Sequence, residues 1–288
     1  MDITAPAKVN LYLKVVGKRE DGYHEIETVF EKISLSDELS VQPTRTRNRI
    51  TCNDPEVPTG EGLLSRTISE FNSRIDADYK FKVHLNKKIP ISAGLGGGSS
   101  DAAALLKAVN HLAGNPLNSN ELMEIGALLG SDVPFFLQES AFAYAEGRGE
   151  VISPMGSSAE INHIIINPPF GISTKSVYSR VSSLSLTKEK GVDKLFTAFL
   201  REKNILSIAE NLHNDLQAIV LRDFPEISEL LTELKRSGAK GELLSGSGSS
   251  VFGIFEPELV PEARERLVRI FPEERGWKIF AVNTFDGE

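Results

Sequence analysis

The chain begins with a regular alternation of apolar and polar side chains. From position 7 to position 15, every second residue is apolar and the residues between them are polar or charged. A period of two is typical of a β-strand that turns one face toward a core. The predicted buried face carries Ala7, Val9, Leu11, Leu13 and Val15, and the opposite face carries Lys8, Asn10, Tyr12 and Lys14.

The pattern then changes several times between the strand period and the 3.6-residue period of a helix. A turn over 17–22 separates the first strand from a second extended run over 23–35. Ser173 and Thr174 can cap a helix that starts near position 175. The other predicted helices cover 63–75, 101–113, 121–129, 192–202, 213–222, 225–236 and 258–270, and the other predicted strands cover 81–85, 163–167, 251–255 and 278–282.

Strands and helices alternate irregularly along the chain. This order predicts α+β layers rather than a doubly wound parallel sheet. The segment 153–159 is small, polar and rich in turn-forming residues. We therefore place a domain boundary there, which divides the chain into a first domain over 1–157 and a second over 158–288.

The charge balance limits the classes of partner. The 288 residues include 32 Lys and Arg against 40 Asp and Glu, a net charge of −8. This balance offers no basic footprint for nucleic acid. No apolar run approaches the roughly 20 residues that span a bilayer. We expect no nucleic-acid partner and no membrane partner, and the sequence indicates no obligate protein partner.

The cysteine count and the N-terminal segment indicate the compartment. Cys52 is the only cysteine, which excludes a disulfide within the chain and fits a reducing compartment. The first residues lack the basic and apolar regions of a signal peptide. We therefore expect a cytoplasmic protein in which Cys52 is inert, since a reactive thiol needs a setting that lowers its pKa.

A glycine-rich loop carries the strongest chemical signal. Four glycines occur among the five residues 94–98, directly before a strongly patterned helix. Glycine permits positive φ and close backbone approach, and the free N–H groups of a helix start favour an anion. The alternative is a flexible linker, but linkers rarely connect a well-patterned strand to a well-patterned helix. The loop predicts phosphate binding.

The type of phosphate loop is not decided by the loop alone. A Walker A loop would end in Gly-Lys, and no lysine ends this one. A dinucleotide fingerprint would need a third glycine where Ser99 stands. The motifs of protein kinases are absent from the sequence.

Two other positions could supply chemistry for phosphoryl transfer. Lys8 and Asn10 share one face of the first predicted strand, and Asp132 lies where a helix ends and an extended segment begins. Taken singly, Lys8 fits a solvated strand edge and Asp132 fits a turn. Phosphoryl transfer, however, needs a carboxylate that accepts the hydroxyl proton and a cation that neutralises charge. The late run 245–250 fits a plain loop and a support for phosphate equally well.

These pieces occur together in the GHMP kinase superfamily, which the sequence resembles. The shared motifs are a Lys-containing first strand at 5–13, a glycine-rich loop at 90–103 and a glycine/serine loop at 244–252. Within the superfamily the chain is most similar to the kinases of 4-diphosphocytidyl-2-C-methyl-D-erythritol. That likeness is weakest over 37–60 and 183–210. It is carried by residues 6–30 with Asp-Gly-Tyr-His at 21–24, and by 130–136, 146–150 and 167–178.

The resemblance implies a fold and a function. The fold would be a ribosomal-S5-like N-terminal domain and a ferredoxin-like C-terminal domain with the site between them. The reaction would be ATP-dependent phosphorylation of the substrate 2-hydroxyl in the non-mevalonate isoprenoid pathway, with Mg²⁺ travelling with the nucleotide. The alternatives are a GHMP kinase for homoserine, mevalonate or a sugar, and an inactive relative that only binds nucleotide.

The resemblance also implies roles for individual residues. Asp132 would be the catalytic base and Lys8 its partner. The family often carries Asn-Leu at the start of the helix near the adenine, whereas this chain has Gly62-Leu63. No dedicated metal ligands are expected. The ATP phosphates would be wrapped by Pro90, Ile91, Ser92, Ala93, Gly94, Leu95, Gly96, Gly97, Gly98, Ser99 and Ser100. The substrate would be bound by Asn10, Tyr23, backbone groups of His24, Thr174 and Tyr178, with Tyr23 and Tyr178 around the cytosine. Gly246, Ser247 and Gly248 would support the phosphate site.

Overall fold

Two β-sheets lie face to face, and helices cover the outer face of each. The computed structural model describes residues 1–156, 159–181, 205–285 and 287. The predicted helix over 192–202 lies outside the described residues. Among those that are described, no helix is both long and apolar enough to cross a membrane.

The first sheet is built mainly from the N-terminal half of the chain. Its central order is β3-β4-β2-β1-β8, and β5 pairs with β2 and β6. The short β8 comes from the C-terminal half and pairs in parallel with β1. The strands are β1 (Asp2–Lys18), β2 (His24–Thr44), β3 (Arg49–Cys52), β4 (Lys80–Asn86), β5 (Phe142–Glu146), β6 (Val151–Met155) and β8 (His213–Asn214).

The second sheet is antiparallel and has the order β11-β7-β10-β9. The strands of this sheet are β7 (Asn162–Asn167), β9 (Gly241–Leu244), β10 (Val251–Phe255) and β11 (Lys278–Asn283). The helices are α1 (Leu63–Arg74), α2 (Gly97–Leu112), α3 (Ser119–Leu129), α4 (Val133–Leu137), α5 (Thr174–Tyr178), α6 (Ile205–Glu210), α7 (Gln217–Asp223), α8 (Glu226–Arg236) and α9 (Val260–Ile270).

Three apolar clusters hold these layers together. One lies between the first sheet and helices α1 to α4. A second fills the space between the sheets, where Val9 and Leu11 meet Ile165 and Phe252. The third packs the far face of the second sheet against α7, α8 and α9. The α+β class predicted from the sequence is confirmed, with four layers in the order helix, sheet, sheet, helix.

The prediction that the first strand has one buried face was too narrow. Residues 7–15 are buried on both faces, because the helices cover the face that carries Lys8 and Asn10. The register of β1 against β2 also shifts between Asn10 and Tyr12. The shift interrupts the alternation, so Tyr12 packs with the cluster between the sheets.

Two further predictions need correction. The helix predicted from position 101 starts four residues earlier, at Gly97, with Gly96 as its N-cap in the left-handed region. The helix predicted over 213–222 covers only Gln217–Asp223, because residues 213–214 pair with β1. Gly114 ends the α2 segment with φ 87°, as its position in the sequence predicts.

Candidate active site

A cavity of about 1190 Å³ opens beside the glycine-rich loop, between elements of both halves of the chain. It is lined by β1, the turn before β2, residues 90–99, the start of α4, α5 and the late loop over 245–250. All candidate site residues line it except Ser100 and Gly248. The cavity therefore brings together side chains that lie more than 230 residues apart in the chain.

The glycine-rich loop (90–100) adopts a backbone that only glycine accommodates at two positions. Gly94 has φ 77° and Gly96 has φ 70°. A Cβ built on Gly94 would lie 2.2 Å from the carbonyl oxygen of Ser245. Because α2 starts at Gly97, the N–H groups of its first residues have no partner within the helix, and Gly97, Gly98 and Ser99 line the cavity. This is the arrangement that favours a phosphate.

The late loop (245–250) packs directly on the glycine-rich loop. The Ser245 hydroxyl donates to the carbonyl oxygen of Gly94 at 3.0 Å, and the Ser250 N–H donates to that of Ala93 at 3.0 Å. The hydroxyls of Ser247 and Thr174 are hydrogen-bonded at 2.8 Å. The late loop therefore braces the glycine-rich loop from the second sheet.

Lys8 and Asn10 form a buried polar pair that lines the cavity. The Lys8 ammonium donates to Asn10 Oδ1 at 2.5 Å, and the Asn10 amide donates to Thr28 Oγ1 at 2.8 Å. Lys8 Nζ lies 3.8 Å from Asp132 Oδ2. Burial lowers the pKa of Lys8, and the nearby Asp132 opposes that effect.

The gap between Lys8 and Asp132 has chemical meaning. A distance of 3.8 Å exceeds that of a direct hydrogen bond, which is about 2.7–3.2 Å. The Asp132 side chain is 31% exposed, whereas that of Lys8 is 6% exposed. A hydroxyl oxygen entering from the cavity can therefore lie within hydrogen-bond reach of both groups.

Asp132 is held at the junction of two helices, not before an extended segment. Gly130 ends α3 and Asp132 is the N-cap of the short helix α4. The sequence favoured an extended segment because Pro134 follows closely. Proline is also tolerated in the first turn of a helix, where its missing N–H costs nothing, and that is its position here.

The aromatic end of the cavity lies at the turn before β2. The ring of Tyr178 lies 5.4 Å from the ring of His24, tilted by 35°. Tyr23 is 55% exposed, and the Arg148 guanidinium lies 5.0 Å from its ring centre. Burial raises the pKa of the Tyr178 phenol, and Asp132 adds to the effect. Both tyrosines line the cavity, with Thr174 nearby.

Sequence reasoning missed a buried ionic cluster beside the glycine-rich loop. The Lys87 ammonium bonds to Asp37 and, at 2.9 Å, to Asp101. Burial raises the pKa of Asp101 to about 7, although Lys87 opposes the shift. Asp101 Oδ1 and Ser100 Oγ are buried and lack hydrogen-bond partners among the described residues. The available signal was the Lys87-Lys88 pair directly before the loop.

One part of the cavity wall is apolar. Val57, Pro58, Leu63 and Leu64 line it, which suits a flat aromatic base. A Cβ on Gly62 would lie 2.8 Å from the carbonyl oxygen of Pro58. An asparagine at position 62 would therefore displace this segment. The glycine that stands there has no side chain that could contact a ligand.

The chain is similar to known kinases along nearly its whole length. A kinase of Desulfotalea psychrophila named 4-diphosphocytidyl-2-C-methyl-D-erythritol kinase is 37% identical, and the match covers 99% of this chain and 95% of that protein. The chain belongs to the 4-diphosphocytidyl-2-C-methyl-D-erythritol kinase family. The models of the GHMP kinases N terminal domain and the GHMP kinases C terminal match residues 62–140 and 196–273.

Solved structures agree with membership of this kinase family. A crystal structure of 4-(cytidine 5'-diphospho)-2C-methyl-D-erythritol kinase has a TM-score of 0.82 and 33% identity, covering 99% of this chain and all of the other. Homoserine kinase from Cytophaga hutchinsonii has a TM-score of 0.77 at 17% identity, covering 99% and 94%. The second match shows only that the fold is shared across kinases of different alcohols.

Proposed function

We propose that this protein transfers the γ-phosphate of ATP to the 2-hydroxyl of 4-diphosphocytidyl-2-C-methyl-D-erythritol. The step belongs to the non-mevalonate route to isoprenoid precursors. The observation that carries the proposal is the single cavity that joins the glycine-rich loop, the Lys8–Asp132 pair and the aromatic turn. The names of the relatives support the choice of substrate.

In the proposed reaction Asp132 accepts the proton of the attacking hydroxyl. The hydroxyl oxygen then forms a bond to the γ-phosphorus, the bond from that phosphorus to the bridging oxygen breaks, and ADP leaves. Lys8 holds the hydroxyl in place and, as a cation, stabilises charge on the transferring group. Asn10 contacts the substrate near the reacting end and fixes the Lys8 ammonium through their 2.5 Å hydrogen bond.

The glycine-rich loop holds the ATP phosphates through its backbone N–H groups, and 246–248 supports it from the second sheet. ATP would carry magnesium into the site, and the metal would supply positive charge against the phosphates. The unpartnered oxygens of Ser100 and Asp101, noted above, are of the type that magnesium binds. Within the described part of the chain, no group of three or more His, Cys, Asp or Glu side chains could hold a metal ion by itself.

The cytosine lies at the aromatic end of the cavity. Tyr23 and Tyr178 contact its faces, the backbone of His24 reads its edge, and Thr174 lies beside the substrate. The diphosphate passes between this end and Lys8, close to Arg148, which also lines the cavity. The two domains over 1–157 and 158–288 meet at this site, and the enzyme acts in the cytoplasm.

Product analysis tests the proposed function directly. ADP formation should require the cytidylylated methylerythritol together with ATP and magnesium, and no comparable turnover should occur with homoserine, mevalonate or a sugar. Those alcohols have no base to place against Tyr178. Equal turnover with any of them would contradict the proposed substrate, and ATP binding without turnover of any alcohol would indicate an inactive relative.

Tyr178 provides a second test of the cytosine site. Tyr178→Ala should raise the KM for the substrate clearly and lower kcat less, because stacking on the remote base is equal in the ground and transition states. Stacked aromatic pairs contribute about 0.5–1.5 kcal/mol beyond their buried area. Tyr178→Phe keeps the ring and should leave both constants nearly unchanged. Steady-state kinetics and thermal melting are measured on the same preparations.

The competing role for Tyr178 is packing in the fold. In that case Tyr178→Ala would lower the melting temperature and leave the substrate KM of the folded fraction unchanged. That outcome would remove Tyr178 from the cytosine site.

A further inference from the structure

The short helix α4, which begins after Asp132, is held at its other end by two lysines. The Lys32 ammonium donates to the carbonyl oxygen of Gln138, and the Lys107 ammonium donates to that of Phe136 at 3.0 Å. The last carbonyls of a helix have no partner within it, so these amines satisfy them. Lys32 is 3% exposed and belongs to β2.

Lys32 is also linked to Lys8 through the first sheet. Lys8 and Lys32 are directly opposite each other across β1 and β2. Lys8 Nζ lies 5.1 Å from the ring centre of Phe30, and Lys32 Nζ lies 5.3 Å from that of Phe135. The two rings are stacked at 4.9 Å. A continuous row of contacts therefore joins Lys8, the two phenylalanines and Lys32, and Phe135 belongs to α4 itself.

We propose that Lys32 is a positioning residue for the phosphoryl transfer, because it fixes α4 and thereby sets the place of Asp132 relative to Lys8. The inference rests on the proposed role of Asp132 as the base. Lys32 does not line the cavity, so it contacts no substrate and acts through α4. Lys107 assists it from α2.

The charge at Lys32 is costly to the fold, which argues for a role beyond packing. The charged groups that act on it are Lys107 on α2 and Glu139 just after α4, with Lys8 opposite on β1. Burial lowers the pKa of Lys32 to about 7, with a smaller contribution from Lys107 and opposition from Glu139. The folded chain thus binds fewer protons than the unfolded chain between about pH 7 and pH 10.5, and the Lys32 contribution to stability rises with pH over this window.

Lys32→Met separates positioning from packing, because methionine has similar length and no charge. The variant should fold and melt no lower than the parent at pH 7. Its kcat should nevertheless fall about tenfold, less than the roughly 10²-fold loss that a displacement of 1 Å can cause. The KM values for ATP and the alcohol should stay within about twofold of the parent values, because Lys32 contacts neither molecule and their ground-state binding should not change. Lys82→Met, an exposed lysine of the same sheet, is the control and should leave kcat unchanged.

The pH dependence adds a readout that packing would not move. A charged donor forms hydrogen bonds roughly twice as strong as a neutral one. The ratio of parent to Lys32→Met kcat should therefore be largest near pH 6 and decline toward about pH 8, as Lys32 loses its proton. A ratio that stays constant with pH, or an unchanged kcat, would overturn the proposal. If Lys32→Met fails to fold, Lys107→Met takes its place, since Lys107 is only half-buried. Its kcat, and the ratio of parent to variant kcat across pH, are then measured in the same way.

Hydrogen exchange distinguishes this inference from the proposed function. The backbone amides of Val133 and of 135–138 should lose protection in Lys32→Met and keep it in Lys82→Met, whether or not the alcohol is turned over. If the parent protein shows no kinase activity but this loss of protection occurs, the hold of Lys32 on α4 stands and the proposed reaction fails. Unchanged protection of this segment would overturn the inference even in an active enzyme.

Discussion

Asp132→Asn should reduce kcat by about 10²–10⁴-fold, the range that a positioned acid–base group contributes. The amide keeps the shape of the carboxylate and still accepts a hydrogen bond, but it cannot take the proton of the hydroxyl. Asp132 lies 3.8 Å from Lys8 and has the exposure needed to meet a substrate group. The affinity for ATP should remain almost the same, because a base acts in the transition state.

Steady-state kinetics gives kcat, and calorimetry with a non-hydrolysable ATP analogue gives the nucleotide affinity. The matched control is Glu56→Gln, which neutralises another carboxylate that lines the same cavity. Its kcat should stay within about twofold of the parent value, as expected for a group outside the reacting centre. If Asp132→Asn kept more than about a third of the activity, the loss would fall far below the expected range. Asp132 would then be excluded as the base.

Gly94→Ala should have the largest effect on the fold of any single methyl group added to the glycine-rich loop. The added Cβ would lie 2.2 Å from the Ser245 carbonyl oxygen and 2.9 Å from that of Gly248, and φ is 77°. A left-handed backbone costs alanine about 1–2 kcal/mol, and forced overpacking adds about 1–3 kcal/mol. Unfolding free energy should therefore fall by roughly 2–5 kcal/mol, and the affinity for ATP should fall with it as the loop moves.

Gly98→Ala is the matched comparison within the same loop. Nothing lies within 4 Å of a Cβ at this position, and the residue is already helical. Alanine should therefore stabilise the protein by about 0.4–1 kcal/mol through the unfolded chain. Denaturant unfolding of the three proteins measures both changes. Equal stability of Gly94→Ala and the parent would show that the two loops do not pack as the geometry requires.

The local sequence pattern predicted which segments form strands and helices. It did not predict which other elements pack against them. The alternation in 7–15 indicates a strand, but a single strand does not reveal which element will cover its second face. Lys8 therefore fitted a solvated edge, although α2 and α4 enclose it. The short helix after Asp132 was missed because a nearby proline normally favours extended backbone. Its formation depends on packing of Phe135 against Phe30, a contact between residues distant in sequence.

The sequence predicted the glycine-rich loop more easily than the packing around it, for a physical reason. A phosphate loop depends on local backbone freedom, so four glycines directly before a helix predict such a loop. Partnerships between separate segments carry no local signal. Nothing near Lys87 shows that Asp37 and Asp101 will enclose it, and nothing near Lys32 shows that it meets α4.

The bracing of the glycine-rich loop by the late loop limits how this enzyme can be recombined. Ser245 and Gly94 are 151 residues apart in the chain, yet the hydroxyl of one is fitted to the backbone of the other. A chimaera that takes 90–100 from a distant relative and keeps its own 245–250 would join two surfaces shaped for other partners. We therefore expect a library that shuffles the two segments independently to lose the fit between Ser245 and Gly94 in most of its members.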